Sequence, residues 1–289
     1  YMGLPVSTTH SIIGAILGFG LVKGGLSAIK LDVLASVIAS WFISPIMGGL
    51  IAFGMFSYVR RKILTADDPK RSMEINTPYL SGLVAFLLTL SIIYKGLKNL
   101  RLDLDVWNAL GLALLAAVVI GLCCSYVVRR YVIGELVGVE SAERVFKWLQ
   151  IITAGYVAFA HGANDVANAI GPLAVVVAGI KGAVISLKVS IPLWLLFMGG
   201  FGITLGVATY GWKVIATIGH KITDMTPSSG FSAVFGAATA VLLFSKLGMP
   251  ISTTHTLVGS VIGVGLARGI SALNLRMVWT ILQLSLIHI

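Results

Sequence analysis

Two polar strings, Pro5-Val6-Ser7-Thr8-Thr9-His10 and Pro250-Ile251-Ser252-Thr253-Thr254-His255, stand 245 residues apart in a chain of 289. Each is preceded by a glycine, Gly3 or Gly248, and each sets three consecutive hydroxyls behind a proline. Gly and Pro end a helix, and Ser or Thr caps the start of the next. A helix start presents free N–H groups and about half a positive charge. With hydroxyl donors added, that is an anion site. One cap needs one hydroxyl, so three per copy in two copies exceed what capping requires. The candidate oxyanion contacts are Ser7, Thr8, Thr9, Ser252, Thr253 and Thr254. His10 and His255, one turn into their helices, read as structural hydrogen-bonding residues, with a proton-linked role as the alternative.

A third polar string, His161-Gly162-Ala163-Asn164-Asp165-Val166-Ala167-Asn168-Ala169, lies in another apolar stretch. An acid there costs about 2.5–3.5 kcal/mol on insertion scales, which makes Asp165 a functional candidate. Its carboxylate and the amide oxygens of Asn164 and Asn168 are the ligands a hard cation takes. The alternative is an Asp that caps a helix broken at Gly162. His161 reads as a helix-end donor, because no second His or Cys stands at metal-ligand spacing.

The elements that position these residues must lie in a bilayer. The chain is 57% hydrophobic and 11% charged, with a mean hydropathy of +0.96. Soluble domains carry about 25% charged residues. Spans are predicted at 31–59, 78–94, 106–128, 147–160 and 190–211, with further apolar helix at 166–180, 231–247 and 256–267. Pro45 should kink the first span without ending it. The helices flanking the second ProSerThrThrHis string are short for a full crossing, so they read as a re-entrant hairpin that turns inside the membrane. Residues 5–22 read as the second arm of an equivalent hairpin. The net charge of +10 gathers at span ends, at Arg60, Arg61, Lys62, Lys70, Arg71, Arg129 and Arg130. That is the positive-inside pattern and not a nucleic-acid face. It assigns 60–77 and 129–147 to the cytoplasm. Cys123 and Cys124 are adjacent in an apolar helix and read as core residues.

The two strings belong to an internal repeat, since six of eight positions from Gly3 and Gly248 are identical and phased glycines follow, from Gly14/Gly259 to Gly24/Gly269. The expected organisation is the end of a first repeat at 1–59, a polar cytoplasmic linker at 60–77, connecting spans and an interfacial segment at 78–146, and a second repeat at 147–289. An earlier copy of the Asn/Asp string is expected about 80 residues before Tyr1. The chain therefore reads as truncated at that end, and its last span, from Leu275, as incomplete.

Charge arithmetic argues for coupling. Phosphate carries −1 to −2 near neutral pH, and two repeat-related Asp would add −2, against about +1 from two helix ends. Leaving that deficit in a low-dielectric site is too costly, so a cation, Na⁺ or H⁺, should travel with the anion. Sulfate is the alternative substrate. It cannot donate a hydrogen bond to a carboxylate, as protonated phosphate can. An intramembrane hydrolase built on Ser252 and His255 is a remote alternative that lacks an orienting acid.

The string Gly162–Ala169 and both ProSerThrThrHis segments resemble the inorganic phosphate transporter (Pit) family, in order and spacing and over nearly the whole chain. The resemblance implies an all-α, polytopic membrane bundle with inverted repeats and re-entrant hairpins. It implies symport of inorganic phosphate with Na⁺ or H⁺ and no other cofactor, in a bacterial or archaeal plasma membrane; a homo-oligomer is compatible with it. It carries phosphate contact onto Ser7, Thr8, Thr9, Asn164, Ser252, Thr253 and Thr254, and cation contact onto Asp165 and Asn168. The chain departs from the family pattern at Val234, where a Glu is common, in lacking the earlier Asn/Asp copy, and at 283–289. On those grounds the 289-residue chain alone is expected not to transport.

Overall fold

The computed structural model describes residues 3, 5–97, 104–132, 138–182, 191–249 and 251–287. Among them the regular structure is entirely helical: α1 (Thr8–Gly24), α2 (Leu31–Val59), α3 (Pro69–Ser91), α4 (Val106–Val127), α5 (Gly138–Ile180), α6 (Leu193–Gly206), α7 (Trp212–Ala216), α8 (Pro227–Lys246), α9 (Thr253–Arg268) and α10 (Leu275–Ile287). π-Helical turns prolong α2, α3 and α4 and join α6 to α7. Six of the resulting rods are long and apolar enough to cross a membrane: Leu31–Leu64, Pro69–Tyr94, Val106–Tyr131, Gly138–Ile180, Leu193–Ile222 and Pro227–Lys246.

Several boundaries differ from the sequence expectation, each for a local reason. The polar linker at 60–77 is largely helical, and only residues 65–68 are irregular. Asp68 caps α3 by accepting from Arg71 N at 3.0 Å, and Pro69 takes the first helical position. That pairing starts a helix whatever the polarity of the next turns. The spans expected at 147–160 and 166–180 form the single helix α5, 43 residues long. One glycine inside such a rod costs only about 1 kcal/mol against alanine, so Gly162 does not break it. Helix α8 begins at Pro227, before residue 231, because Thr226 and Ser229 form a reciprocal capping box. Pro45 lies within α2, which continues past it. The loop at 95–105, the start of the interfacial segment at 135–147 and the start of the 190–211 span fall partly outside the described residues. Within them, 138–147 is the polar beginning of α5.

The repeat is visible in backbone conformation. Gly3 and Gly248 both have left-handed φ, +66° and +70°. At the second site Met249 N donates to Phe244 O and Gly248 N to Ser245 O, the pair of hydrogen bonds that closes a helix over a left-handed glycine. The helices α1 and α9 end at Gly25 and Gly269, and a 3₁₀ turn follows each, Leu26–Ala28 and Ile270–Ala272. Gly269 therefore pairs with Gly25 and not with Gly24, because α1 is one residue longer than α9. The units α1–α2 and α9–α10 correspond.

These two units are inverted. Both α1 and α9 start beside the same part of α2, where Trp41 packs at a tilt against His10 and Pro45 meets Gly259. They leave in opposite directions. The end of α9 meets the end of α2, with Arg60 donating to Ala267 O at 2.8 Å, whereas α1 leads by a short turn to Leu31, where α2 begins. By length α8 could cross a membrane. What makes α8 and α9 a re-entrant hairpin is that Arg268, at the end of α9, donates to Asp224 O just ahead of α8. The hairpin is held against α2 by backbone-to-backbone contact. A side chain at Gly259 would strike the Pro45 carbonyl, and one at Gly263 would strike that of Gly49.

Candidate functional site

The two hydroxyl strings form matching helix starts. Ser7 (φ −80°, ψ 108°) and Ser252 (φ −86°, ψ 107°) are the N-caps of α1 and α9. Each accepts from the backbone N–H three residues on, His10 N or His255 N, at 3.2 Å. The next turn bonds back through Ser11 N to Ser7 O and Thr256 N to Ser252 O. This leaves the N–H groups of Thr8, Thr9, Thr253 and Thr254 without intrahelical acceptors. A hydroxyl has one donor and two acceptor sites. Ser7 and Ser252 spend an acceptor site on the cap, and their own hydrogens take no acceptor among the described residues.

The threonines are committed differently. Thr9 Oγ1 donates to Ile251 O at 3.1 Å, and Thr254 Oγ1 donates to Val6 O at 3.2 Å. Thr9 corresponds to Thr254 and Val6 to Ile251, so the two bonds are related by the repeat. They clamp one helix start to the other. Thr253 Oγ1 donates to Asp165, 3.2 Å from Oδ1 and 3.3 Å from Oδ2. Its counterpart Thr8 is exposed and is not drawn into this cluster.

Helix α5 runs past both strings and joins them. Asp165 meets Thr253 on α9, while Asn168, one turn later, donates to Thr9 Oγ1 on α1 at 3.0 Å. Asn164 Nδ2 lies 3.4 Å from Asp165 Oδ1. Asp165 sits mid-helix and caps nothing, which removes the capping alternative. His161, one turn before it on the same face, is likewise inside the helix and is not a helix-end donor. Both line a cavity of about 370 Å³, with Pro5 and Val6 from the first string, Thr253 and Thr254 from the second, and Val214 and Ile218 opposite. Among the described residues no cluster of three His, Cys, Asp or Glu could hold a metal. The oxygen donors at Asp165, Thr253 and the two asparagines are the kind a hard cation takes.

Behind the helix starts, His10 and His255 meet beside buried residues of α2 that the sequence pattern did not single out. The rings of His10 and His255 meet edge to face with centroids 4.5 Å apart, and Trp41 lies 3.9 Å from His10 on its other side. Ser40, Trp41 and Ser44 are all buried on α2. Polar residues at three- and four-residue spacing in an otherwise apolar span were the available signal. Trp41 Nε1, Ser44 Oγ and His255 Nε2 are buried without a partner among the described residues.

A profile of the phosphate transporter family matches residues 1–287. The chain belongs to that family. This makes it a multi-pass membrane protein among transporters, and the hydrolase alternative drops away. An inferred phosphate permease of Pyrococcus abyssi is 47% identical over 272 residues, 94% of this chain and 66% of that protein. One from Haemophilus influenzae is 39% identical over 286 residues, covering 98% of this chain and 68% of that protein. A solved structure described as the sodium-dependent phosphate transporter is 41% identical with a TM-score of 0.89, covering 99% of this chain and 70% of that one. The chain thus spans about two thirds of the length of the relatives it matches. Helix α8 carries the apolar Val234 and has no Asp or Glu along its length. Among the described residues Asp165 is the one carboxylate lining the cavity.

Proposed function

We propose that the chain forms the phosphate-binding part of a cation-coupled symporter, with the anion held between the starts of α1 and α9. The observation that carries this reading is the pair of repeat-related bonds from Thr9 and Thr254. They hold two helix starts together although each bears about half a positive charge. An anion between them relieves the repulsion, and free N–H groups and the Ser7 and Ser252 hydroxyls stand ready to bond it. Broken helices meeting at a central site serve the same purpose in other secondary transporters.

In this reading the phosphate contacts are Ser7, Ser252, Asn164 and the N–H groups of Thr8, Thr9, Thr253 and Thr254. The threonine hydroxyls shape the site, since those of Thr9, Thr253 and Thr254 already donate elsewhere. Asp165 and Asn168 hold the coupling cation. Because Asp165 shares Thr253 with the anion site, cation binding steadies the start of α9 on which the anion sits. Sodium is favoured over a proton by the oxygen donors around Asp165 and by the 41%-identical sodium-dependent relative.

The test is uptake of labelled phosphate into proteoliposomes by the protein at the length of its relatives, with Na⁺ and pH gradients imposed separately and sulfate as competitor. Uptake driven by a Na⁺ gradient and indifferent to sulfate is expected. Uptake that needs neither gradient would overturn symport, and block by equimolar sulfate would overturn the selectivity.

A further inference from the structure

We propose that the cleft where α2 and α9 end binds an anionic phospholipid, with its headgroup phosphate on Arg60 and Arg61. The cleft has a volume of about 420 Å³ and is lined by Phe53, Ser57, Arg60, Arg61, Thr65 and Leu266, with Ala267 at its floor. It is a built feature. Thr65 closes the π turn that carries both arginines, its N and Oγ1 bonding Arg60 O at 2.9 and 3.0 Å. Arg60 is anchored further through Ala267 O. Arg61 makes no ion pair or side-chain bond among the described residues, so an exposed guanidinium is held over the cleft with its donors unspent.

Charge decides the sign of the occupant. Arg60, Arg61 and Lys62 follow directly on a membrane-spanning helix, Arg268 ends the neighbouring one, and no acid lines the cleft. Clusters of this kind recruit anionic headgroups, and the planar fork of Arg matches phosphate with two parallel bonds. The walls decide that the anion carries a chain. Phe53 and Leu266 are 43% and 46% exposed, and the same face of α2 continues through Leu50 and Ile46, 61% and 60% exposed. Their spacing of three to four residues makes one stripe. From Ile46 to Ser57 it is about 16 Å long at 1.5 Å per residue, close to one leaflet of a hydrocarbon core about 30 Å thick. A headgroup on the arginines thus lays its chain along the stripe. A free phosphate would leave the stripe unused. The cleft is also distinct from the site at Asp165, which meets the other end of α9, about 22 Å away along the helix.

The test is native mass spectrometry of the purified chain, released from nanodiscs of phosphatidylglycerol mixed equally with phosphatidylethanolamine of the same chains. Selective retention of phosphatidylglycerol is expected, reduced about fivefold by Arg61→Gln, as one basic residue near a membrane surface contributes. Arg61→Lys should restore part of it. Because the Arg61 side chain bonds no protein group among the described residues, its replacement should leave thermal unfolding in lipid-free detergent unchanged. Equal retention of the two lipids, or an Arg61→Gln variant that retains as much as the parent, would overturn the proposal. Displacement by millimolar inorganic phosphate would show a soluble-anion site instead. No outcome depends on transport, so the phosphate reading stands or falls separately.

Discussion

Thr9 and Thr254 are each hydrogen-bonded to the other's string, Thr9 to Ile251 O at 3.1 Å and Thr254 to Val6 O at 3.2 Å. The pair joins two helix starts that diverge toward opposite ends of α2. Their environments differ, because Thr9 is buried while Thr254 is half-buried, and Thr9 Oγ1 also accepts from Asn168 Nδ2 at 3.0 Å. Among the described residues Thr254 Oγ1 accepts from no equivalent donor.

That asymmetry predicts unequal mutants. Thr254→Val loses one bond and leaves a carbonyl with a second lone pair, a cost of about 1 kcal/mol. Thr9→Val strands the Asn168 amide as well and should cost about 2–3 kcal/mol. Thermal unfolding of both variants in one detergent checks this. Equal losses would mean that Asn168 finds another acceptor.

With Asp165 proposed to hold the cation, its replacement should separate binding from coupling. In Asp165→Asn the side chain keeps its shape and can still accept from Thr253, but the charge is gone. Phosphate affinity measured by calorimetry should then lose its dependence on Na⁺, with at least a tenfold fall at high Na⁺, about 1.4 kcal/mol. Thr253→Val keeps the charge and should retain Na⁺ dependence with a smaller loss. A Na⁺ response surviving in Asp165→Asn would remove Asp165 from the cation site.

Glu143 ties the start of α5 to that of α8. Its Oε2 accepts from Ser228 N at 2.9 Å and its Oε1 from Ser228 Oγ at 2.6 Å. A carboxylate at a helix start also complements the dipole there. Glu143→Gln keeps one acceptor but turns a donor on the other, and should cost about 1.5–3 kcal/mol. Hydrogen exchange should report it as faster opening at Ser228–Gly230, with the α9 amides unaffected. Uniform acceleration along the chain would show a global effect instead.

The sequence was legible where local chemistry decides the outcome. Apolar runs located α2 and α4 almost to the residue, and the repeated Gly–Pro–Ser pattern located two helix starts whose caps have nearly the same φ and ψ. It was silent where partners come from afar. Thr8, Thr9, Thr253 and Thr254 are alike in type, yet one is exposed, two clamp the strings and one holds Asp165. What lies opposite each of them is set by how α5 passes between the units, 88 residues from Thr253 and 159 from Thr9. Gly162 misled for the related reason that propensity alone does not break a helix packed along its length. Trp41 was hidden because an apolar span tolerates a tryptophan without comment.

Glycines that look alike in the sequence should respond in opposite ways to alanine. Gly259 lies against the Pro45 carbonyl, so a methyl group there must push α9 off α2. Neither backbone can yield while the stack continues at Gly49 and Gly263, and the cost should be about 3 kcal/mol, at the upper end for overpacking. Gly162 faces open space within α5 and has ordinary helical backbone. Alanine there removes unfolded-chain freedom and should stabilise by about 0.5–1 kcal/mol. Thermal unfolding of Gly259→Ala and Gly162→Ala in the same detergent decides it. If Gly162→Ala raises stability yet weakens phosphate binding, the glycine is kept for the anion's approach to α5 and not for the fold. If both variants unfold early, Gly162 meets a neighbour that the described residues do not include.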